Sequence, residues 1–244
     1  MPALANERLQ KLAAAQVDIK AYQSALRALM YPMIGSQPDL AYTVGALGRH
    51  AASPGEDHLR ALDRAFRYLR ATSTHRLIYQ RGLTPSPTLQ GYVDADWASD
   101  INDRKSTSGF VFTLAGAAIS WSCKKQNVIT LLSTEAEYIA AAHAAKEAVW
   151  LRRLLTELGL DLSSPTILHV DNQSAITIAL NSEFHDRTKH IEVRHHFLQQ
   201  LVVDGQIEPL YLATGEQLAD ALTKGLSREK HEKFSAAMGL HGTN

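Results

Sequence analysis

The stretch 89–123, LQGYVDADWASDINDRKSTSGFVFTLAGAAISWSC, contains three alternations of apolar and polar residues separated by two short breaks. A period of two is the mark of a half-buried strand. Leu89–Ala98, Thr107–Leu114 and Ala117–Cys123 are therefore expected to form a three-stranded meander, turning at Asp103-Arg104-Lys105 and Ala115-Gly116. Downstream the period changes. Ala140, Ala144, Ala148, Leu151, Leu155 and Leu158 recur at threes and fours, predicting one long helix over Ser133–Gly159 with Gly159 at its C-terminal end. A strand (Thr166–Val170), helices over Asn172–Asn181 and Lys189–Val203, and a strand (Gln206–Ala213) follow. A helical Gly215–Lys224 and a last helix near Arg228–Met238 end the order. The succession βββαβααβα predicts a mixed sheet flanked by helices, an α/β layered domain.

Upstream the texture is helical. Ala21–Met30, Asp39–Arg49 and Glu56–Thr72 predict three helices, the third opened by Ser53-Pro54. In that helix Leu59, Leu62, Ala65, Phe66 and Leu69 form an apolar stripe, and Arg60, Arg64, Arg67 and Arg70 line another face. The arginines suit either a solvated surface or a ridge tracking a phosphate backbone. Gly82-Leu83-Thr84-Pro85-Ser86-Pro87 disfavours both helix and central strand, and residues 83–88 are expected to be a linker. The expected organisation is a helical segment 1–82, a sheet domain 89–226, and a C-terminal helix and tail 227–244.

With 244 residues, 45 % of them hydrophobic, the chain has material for a real core, which excludes wholesale disorder. Lys plus Arg and Asp plus Glu are each 25, so no global basicity advertises a nucleic-acid binder. The balance is uneven: residues 1–90 hold 11 basic and 6 acidic side chains (+5), residues 91–244 hold 14 and 19 (−5). One cysteine, Cys123, excludes an internal disulfide and a Cys-rich zinc site, and it reads as a small strand residue. No apolar run reaches membrane-spanning length and no leader opens the chain, so a soluble intracellular protein with no membrane partner is expected, cytoplasm and nucleus not being distinguished.

The acids are the informative residues. In Tyr92-Val93-Asp94-Ala95-Asp96-Trp97 the strand period puts Asp94 and Asp96 on one face and Val93, Ala95 and Trp97 on the other. Two like charges on one strand face are unfavourable unless a cation sits there. Asp171 ends a strand where a helix begins, a position that also suits an N-cap. Glu137 follows Thr134 at capping-box spacing, and Asp220 lies in a helix opened by another such box, Thr214-Gly215-Glu216-Gln217, where an ordinary exposed acid is stable. Singly each acid has a bland role. Together, four acids from two strand ends and two helix starts can converge on one sheet end and make an oxygen-only cage for hard cations such as Mg²⁺.

Six ordered motifs over Leu89–Leu240 carry a resemblance. Tyr92-Val93-Asp94-Ala95-Asp96-Trp97-Ala98, Arg104-Lys105-Ser106-Thr107-Ser108-Gly109, Ser133-Thr134-Glu135-Ala136-Glu137-Tyr138, Val170-Asp171-Asn172-Gln173-Ser174-Ala175, Arg187-Thr188-Lys189-His190-Ile191 and Leu218-Ala219-Asp220-Ala221-Leu222-Thr223-Lys224 resemble the ribonuclease H domain of copia-type LTR retrotransposon polyproteins. Leu29-Met30-Tyr31, Gln37-Pro38-Asp39-Leu40 and Phe66-Arg67-Tyr68-Leu69-Arg70 are similar to the segment joining a reverse-transcriptase palm to ribonuclease H, a thumb- or connection-like piece. Residues 1–18 resemble nothing placed. The resemblance implies a ribonuclease H-like fold with a five-stranded sheet. It implies a catalytic and metal-binding set of Asp94, Glu137, Asp171 and Asp220, with Asp96 as a tuning neighbour. Glu137 is preferred to Glu135 because an apolar helical run follows it. The implied activity is endonucleolytic cleavage of the RNA strand of RNA–DNA hybrids with two Mg²⁺ ions, Mn²⁺ being able to substitute. Without metal the four carboxylates should repel, leaving the cage poorly ordered or partly protonated. The polymerase's own Asp-Asp signature is missing, so the chain reads as the tail of a polyprotein whose palm and fingers are the implied partner. The loop Tyr211-Leu212-Ala213-Thr214-Gly215 also lacks the His that cellular ribonucleases H carry before the last acid.

Hybrid binding in an acidic half needs local cations: Arg104 and Lys105, Lys124 and Lys125, and Arg187, Lys189 and His190. Thr107, Ser108 and Ser133 are further hydroxyl candidates for backbone contacts. Trp97, Trp121 and Trp150 each fit an apolar face and are expected in the core. His185, His190, His195 and His196 lack the partnering Cys or flanking Glu of a zinc site and suit phosphate contact or packing beside the sheet. Two rivals remain: an inactive retroelement remnant acting as a nucleic-acid-binding or scaffolding module, and a transposase or integrase with a carboxylate triad. The long helix after the meander favours the hydrolase.

Overall fold

The computed structural model describes residues 1–5, 7, 9–10, 17–80, 88–180 and 189–242. Arg187 and His185, and nearly all of the expected linker, lie outside the described residues. Five strands form the central sheet: β2 (Gln90–Asp96), β3 (Thr107–Leu114), β4 (Ala117–Lys125), β5 (Thr166–Val170) and β6 (Ile207–Tyr211), in the order β4-β3-β2-β5-β6. The β2–β3 and β3–β4 pairs are antiparallel, as the meander required, while β2–β5 and β5–β6 are parallel. This is the mixed five-stranded sheet expected. Because β2 and β5 run the same way, their C-terminal ends, and the acids there, meet at one edge.

One face is covered by α4 (Ser133–Glu157), with α5 (Gln173–Leu180) and α6 (Lys189–Val203) beside it. The contact is built from small residues: Ala136, Ala140, Ala141, Ala144, Ala145 and Ala148 are buried against Val93, Phe110 and Phe112. Alanine lets the helix axis lie close to the sheet at no side-chain entropy cost.

The other face is covered by the N-terminal helices and a C-terminal pair. Helices α1 (Ile19–Gly35), α2 (Ala41–Gly48) and α3 (Glu56–Ala71) share their own core around Tyr22, Leu26, Leu29, Leu47 and Leu62. A third cluster joins Ala41 to Val111, Leu222, Phe234 and Met238, bringing in α7 (Asp220–Thr223) and α8 (Arg228–Ala237). The Trp121 indole donates to the Met33 carbonyl at 2.9 Å, tying β4 to α1. A small antiparallel pair, β1 (His75–Leu77) with β7 (Leu240–Gly242), which the sequence pattern did not suggest, fastens the end of the helical segment to the C-terminus. Among the described residues no helix is long and apolar enough to cross a membrane.

Several expectations need correction. Trp97 and Trp150 are 45 % and 55 % exposed rather than in the core, and Trp121 is half-buried. The chain leaves strand geometry at Asp96 and turns through Ala98 at φ 49°, so alternation no longer governs Trp97. Trp150 lies where α4 shows its outer side to solvent. Gly215–Lys224 is not one helix but a 3₁₀ turn (Thr214–Glu216) followed by the single turn α7. On α3, Arg60, Arg64 and Arg67 are matched by Glu56 and Asp57, Glu7, and Asp63, which makes this a paired, solvated face.

Candidate active site

Asp94 is the fifth residue of β2 and faces the α7 side of the sheet, 3 % exposed. Its cross-strand partner is Gly109. A Cβ there would lie 2.7 Å from Thr223 Cγ2 and 2.9 Å from Leu222 Cβ, so the missing side chain lets α7 settle on β3. That approach puts the Thr223 hydroxyl on Asp94 Oδ2, to which it donates, and buries Asp220 one turn earlier at 1 % exposure. Asp220 is therefore no ordinary exposed acid at a helix start.

Glu137 stands in the second turn of α4, 6 % exposed. The capping box does not form: the residue preceding α4 is Leu132, and it is Glu135 that reaches back to the backbone before the helix, accepting from the Leu131 N–H at 3.0 Å. Glu137 turns inward instead, taking a hydrogen bond from the Ala95 amide. Its Oε2 is buried with no hydrogen-bond partner among the described residues. Asp171 follows β5, and its capping role is taken by its neighbour: Asn172 Oδ1 accepts from the Ala175 amide at 3.0 Å. Asp171 is left to receive the Thr214 hydroxyl at 2.9 Å.

Each of Asp94, Glu137 and Asp171 offers a carboxylate oxygen within 4.8 Å of the others. Asp220 stands beside this trio, linked through Lys224, whose Nζ lies 2.8 Å from Asp220 Oδ1 and 3.9 Å from Asp94 Oδ2. The four predicted acids are thus brought to one sheet end. Asp96, half-buried, lies close enough to add to the field on Lys224.

The electrostatics follow from burial and crowding. Burial pushes the Asp94 carboxyl up to about 7, Asp220 and Asp171 adding to the rise and Lys224 and the Thr223 hydroxyl opposing it. Burial, then Asp94 and Asp171, lift Glu137 well above the usual carboxylate range. Asp220 is raised by burial against the pull of Lys224. Burial works against the charge of Lys224, but Asp94 and Asp220 outweigh it and raise its ammonium to about 12. Among the described residues Lys224 is the cation ion-paired within the cluster, which leaves four carboxylates short of positive charge. An all-oxygen donor set with an unsatisfied buried oxygen is what a hard divalent cation takes.

Lys224 and Thr223 went unremarked in the sequence although both lie in a quoted motif. The i,i+4 spacing from Asp220 to Lys224 was the available signal. The predicted cations fare unevenly. Arg104 is exposed on the β2–β3 turn at φ 58°. Lys105 beside it is half-buried, its amide held by Asp103. Lys124 is exposed, whereas Lys125 is bound by Asp100 at 2.6 Å and Asp103 at 2.8 Å. The side chains of Lys189, His190 and His195 lie outside the described residues, and His196 is exposed on α6. Thr107 and Ser108 are buried and engaged, by Arg49 Nη2 at 2.9 Å and Gln126 Nε2 at 2.8 Å, so they do not face a ligand; Ser133 is exposed.

No protein-family model matches the chain. It is 44 % identical over 220 residues to the retrovirus-related Pol polyprotein from transposon TNT 1-94 of Nicotiana tabacum, covering 90 % of this chain and 16 % of that protein. It is 40 % identical over 223 residues to the corresponding polyprotein from transposon RE2 of Arabidopsis thaliana, covering 91 % of this chain and 15 % of that one. The chain therefore spans about a sixth of these curated relatives. Among solved structures, the foamy viral protease-reverse transcriptase in complex with RNA/DNA hybrid aligns with a TM-score of 0.48 at 14 % identity, over 80 % of this chain and 25 % of that one.

Proposed function

Since this chain belongs to the family of retrovirus-related Pol polyproteins from copia-type transposons, we propose that its sheet domain cleaves the RNA strand of RNA–DNA hybrids, with Asp94, Glu137, Asp171 and Asp220 as the catalytic set. The observation that carries this reading is the carboxylate trio, with oxygens inside 4.8 Å of one another at a sheet end. A fold does not accumulate buried acids at a cost in stability unless something else binds there. These acids would hold two divalent cations, Mg²⁺ foremost, which when bound supply activation of the attacking water and stabilisation of the leaving oxygen.

The chain's own groups do the positioning. The Thr223 hydroxyl fixes the Asp94 carboxylate, the Thr214 hydroxyl fixes Asp171, and the Ala95 amide fixes Glu137. Lys224 holds Asp94 and Asp220 together as a resident counter-ion. Asp94 and Glu137, both raised, give up their protons when positive charge enters. Arg104, Lys105 and Lys124 lie near this end and suit phosphate contact. Helices α1–α3, packed on the opposite sheet face, would belong to a segment that joins the domain to the polymerase palm and fingers of a parent polyprotein.

The test is a Mg²⁺-dependent cleavage assay on hybrid, duplex RNA and duplex DNA. Cleavage of hybrid alone is expected. Asp171→Asn should abolish it while retaining hybrid binding, because a metal ligand is lost and little bulk. Cleavage of duplex DNA instead would favour a transposase or integrase, and binding without any cleavage would favour an inactive remnant. Cleavage by the variant at the wild-type rate would remove Asp171 from the set.

A further inference from the structure

Outside the carboxylate site, four cations of the second half line one cavity. Lys124 on β4, Lys146 on α4 and Arg194 on α6 converge on a shallow cavity of about 150 Å³ that Gln126 and His143 also line. Among the described residues no carboxylate lines it. Lys125 reaches the same cavity but is neutralised by Asp100 and Asp103. Among the described residues the other three have no such carboxylate partner, and Arg194 Nη1 is buried without a hydrogen bond. His143 feels all of them. Burial lowers its pKa, and Lys124, Lys146 and Arg194 each lower it further. Glu147, which acts against them, is engaged by the Ser120 hydroxyl at 2.6 Å. Three like charges delivered by three separate elements repel unless an anion joins them.

The place of the cavity narrows the anion. Lys124 pairs across the sheet with Ser108, and Ser108 with Ala95, the neighbour of Asp94. Two strand spacings make that roughly 10 Å. Along α4, Lys146 lies nine residues past Glu137, roughly 13 Å of helix rise. Gln126 bridges the two sites, its Nε2 donating to Ser108 Oγ at 2.8 Å and to the Ala136 carbonyl at 2.9 Å. The cavity is thus a rigid extension of the carboxylate end. A guanidinium fork flanked by two ammonium groups matches phosphate oxygens.

We propose that Lys124, Lys146 and Arg194, with His143, hold a backbone phosphate of the nucleic acid cleaved at the carboxylates, anchoring the substrate along α4. The ligand's identity rests on the function proposed above; the charge geometry does not. The test is hybrid binding by fluorescence anisotropy in chelator, over a range of salt, for the full chain, Lys146→Gln, and Lys146→Gln/Arg194→Gln, with Arg67→Gln as control. Arg67 is exposed on α3 and paired with Asp63. The slope of log affinity against log salt should shrink by about 0.9 for each phosphate the variant no longer neutralises, and affinity at low salt should fall at least about fivefold in the double variant. Lys146 is exposed, so the single variant reads out the effect without risk to folding.

An unchanged slope and affinity in both variants would overturn the anchor, even if the chain cleaves hybrid. A chain that binds hybrid without cleaving it, yet shows the slope change, would support the anchor and fault the nuclease. A thermal shift by inorganic phosphate that the double variant loses, with hybrid binding unaltered, would overturn the proposal in favour of a small-anion site.

Discussion

Two sets of acids occupy the same end of the sheet and are treated in opposite ways. Asp100, in the turn after β2, is nearly buried yet saturated: Lys125 at 2.6 Å, Arg49 at 3.5 Å, and both the amide and side chain of Asn102 attend it. Burial alone would raise its carboxyl, but Lys125 and Asn102 outweigh burial and hold it down to about 2. In the other set, among the described residues, Lys224 pairs with Asp94 and Asp220 and with neither Glu137 nor Asp171, and Asp94 is pushed the other way, to about 7. A carboxylate whose charges and hydrogen bonds are all met serves structure, since Asp100 binds the helical segment, through Arg49, to the sheet. Carboxylates left to repel suit the ligand site proposed for them. The contrast predicts that substitutions in the two sets will separate activity from stability.

The largest effect falls on the unsatisfied set. Glu137→Gln should lower hybrid cleavage by more than about a hundredfold, beyond what loss of an outer-shell partner does. It should leave thermal stability unchanged or raised, because a raised, buried acid becomes neutral. Glu135→Gln, which loses only a turn hydrogen bond to Leu131, should be much milder. If the order were reversed, Glu135 would be the site residue and the inward turn of Glu137 incidental.

Next in size is the satisfied set. Asp100→Asn removes the charge that Arg49 and Lys125 share, leaving Lys125 with Asp103 and Arg49 with Thr107, and should cost about 2–3 kcal/mol of stability, the scale for hydrogen bonds to a charged group. Chemical denaturation measures it. Cleavage at temperatures well below melting should change little. A stability loss as large for Asp94→Asn would erase the distinction between the two sets.

How far these sets could be read from the sequence depends on which residues report locally. β3, β5 and α6 fall on their expected bounds because each is a continuous periodic run. The acids were legible as a group, since strand parity and helix starts put them at element ends that a mixed sheet brings together. Around residues 214–224 local pattern misled. Thr214 and Gln217 have capping-box spacing, but Gln217 is fully buried, its amide nitrogen on the His169 carbonyl at 3.2 Å, and the backbone there is extended. A tertiary hydrogen bond overrode the cap. The β1–β7 pair could not be seen, because each strand is three residues long and its partner lies at the other end of the chain. The cationic cavity drew only Lys124 and Lys125 from sequence, since Lys146 and Arg194 come from helices with no shared motif.

A further prediction separates the two sets by the sign of their pH dependence. Asp94, Glu137 and Asp220 have folded-state pKa values above those of the unfolded chain, 3.8 being the ordinary value for Asp. Between about 7 and about 4 the folded form binds protons that the unfolded form does not. Stability of the metal-free chain should therefore rise as pH falls through that window. Asp100 contributes oppositely: its folded value of about 2 lies below the unfolded one, so its stabilisation is present above about 4 and lost as pH falls toward 2. The curve in chelator should peak near the crossing of the two, on the acid side of neutrality. Adding Mg²⁺ holds the clustered acids ionised and should remove the gain on acidification while leaving the low-pH arm in place. In the Asp171→Asn chain the Mg²⁺ effect should shrink, and in Asp100→Asn only the low-pH arm should change. A metal-free curve that falls steadily from pH 7 to pH 4 would mean the four carboxylates are as well compensated as Asp100, and would leave their convergence without a reason.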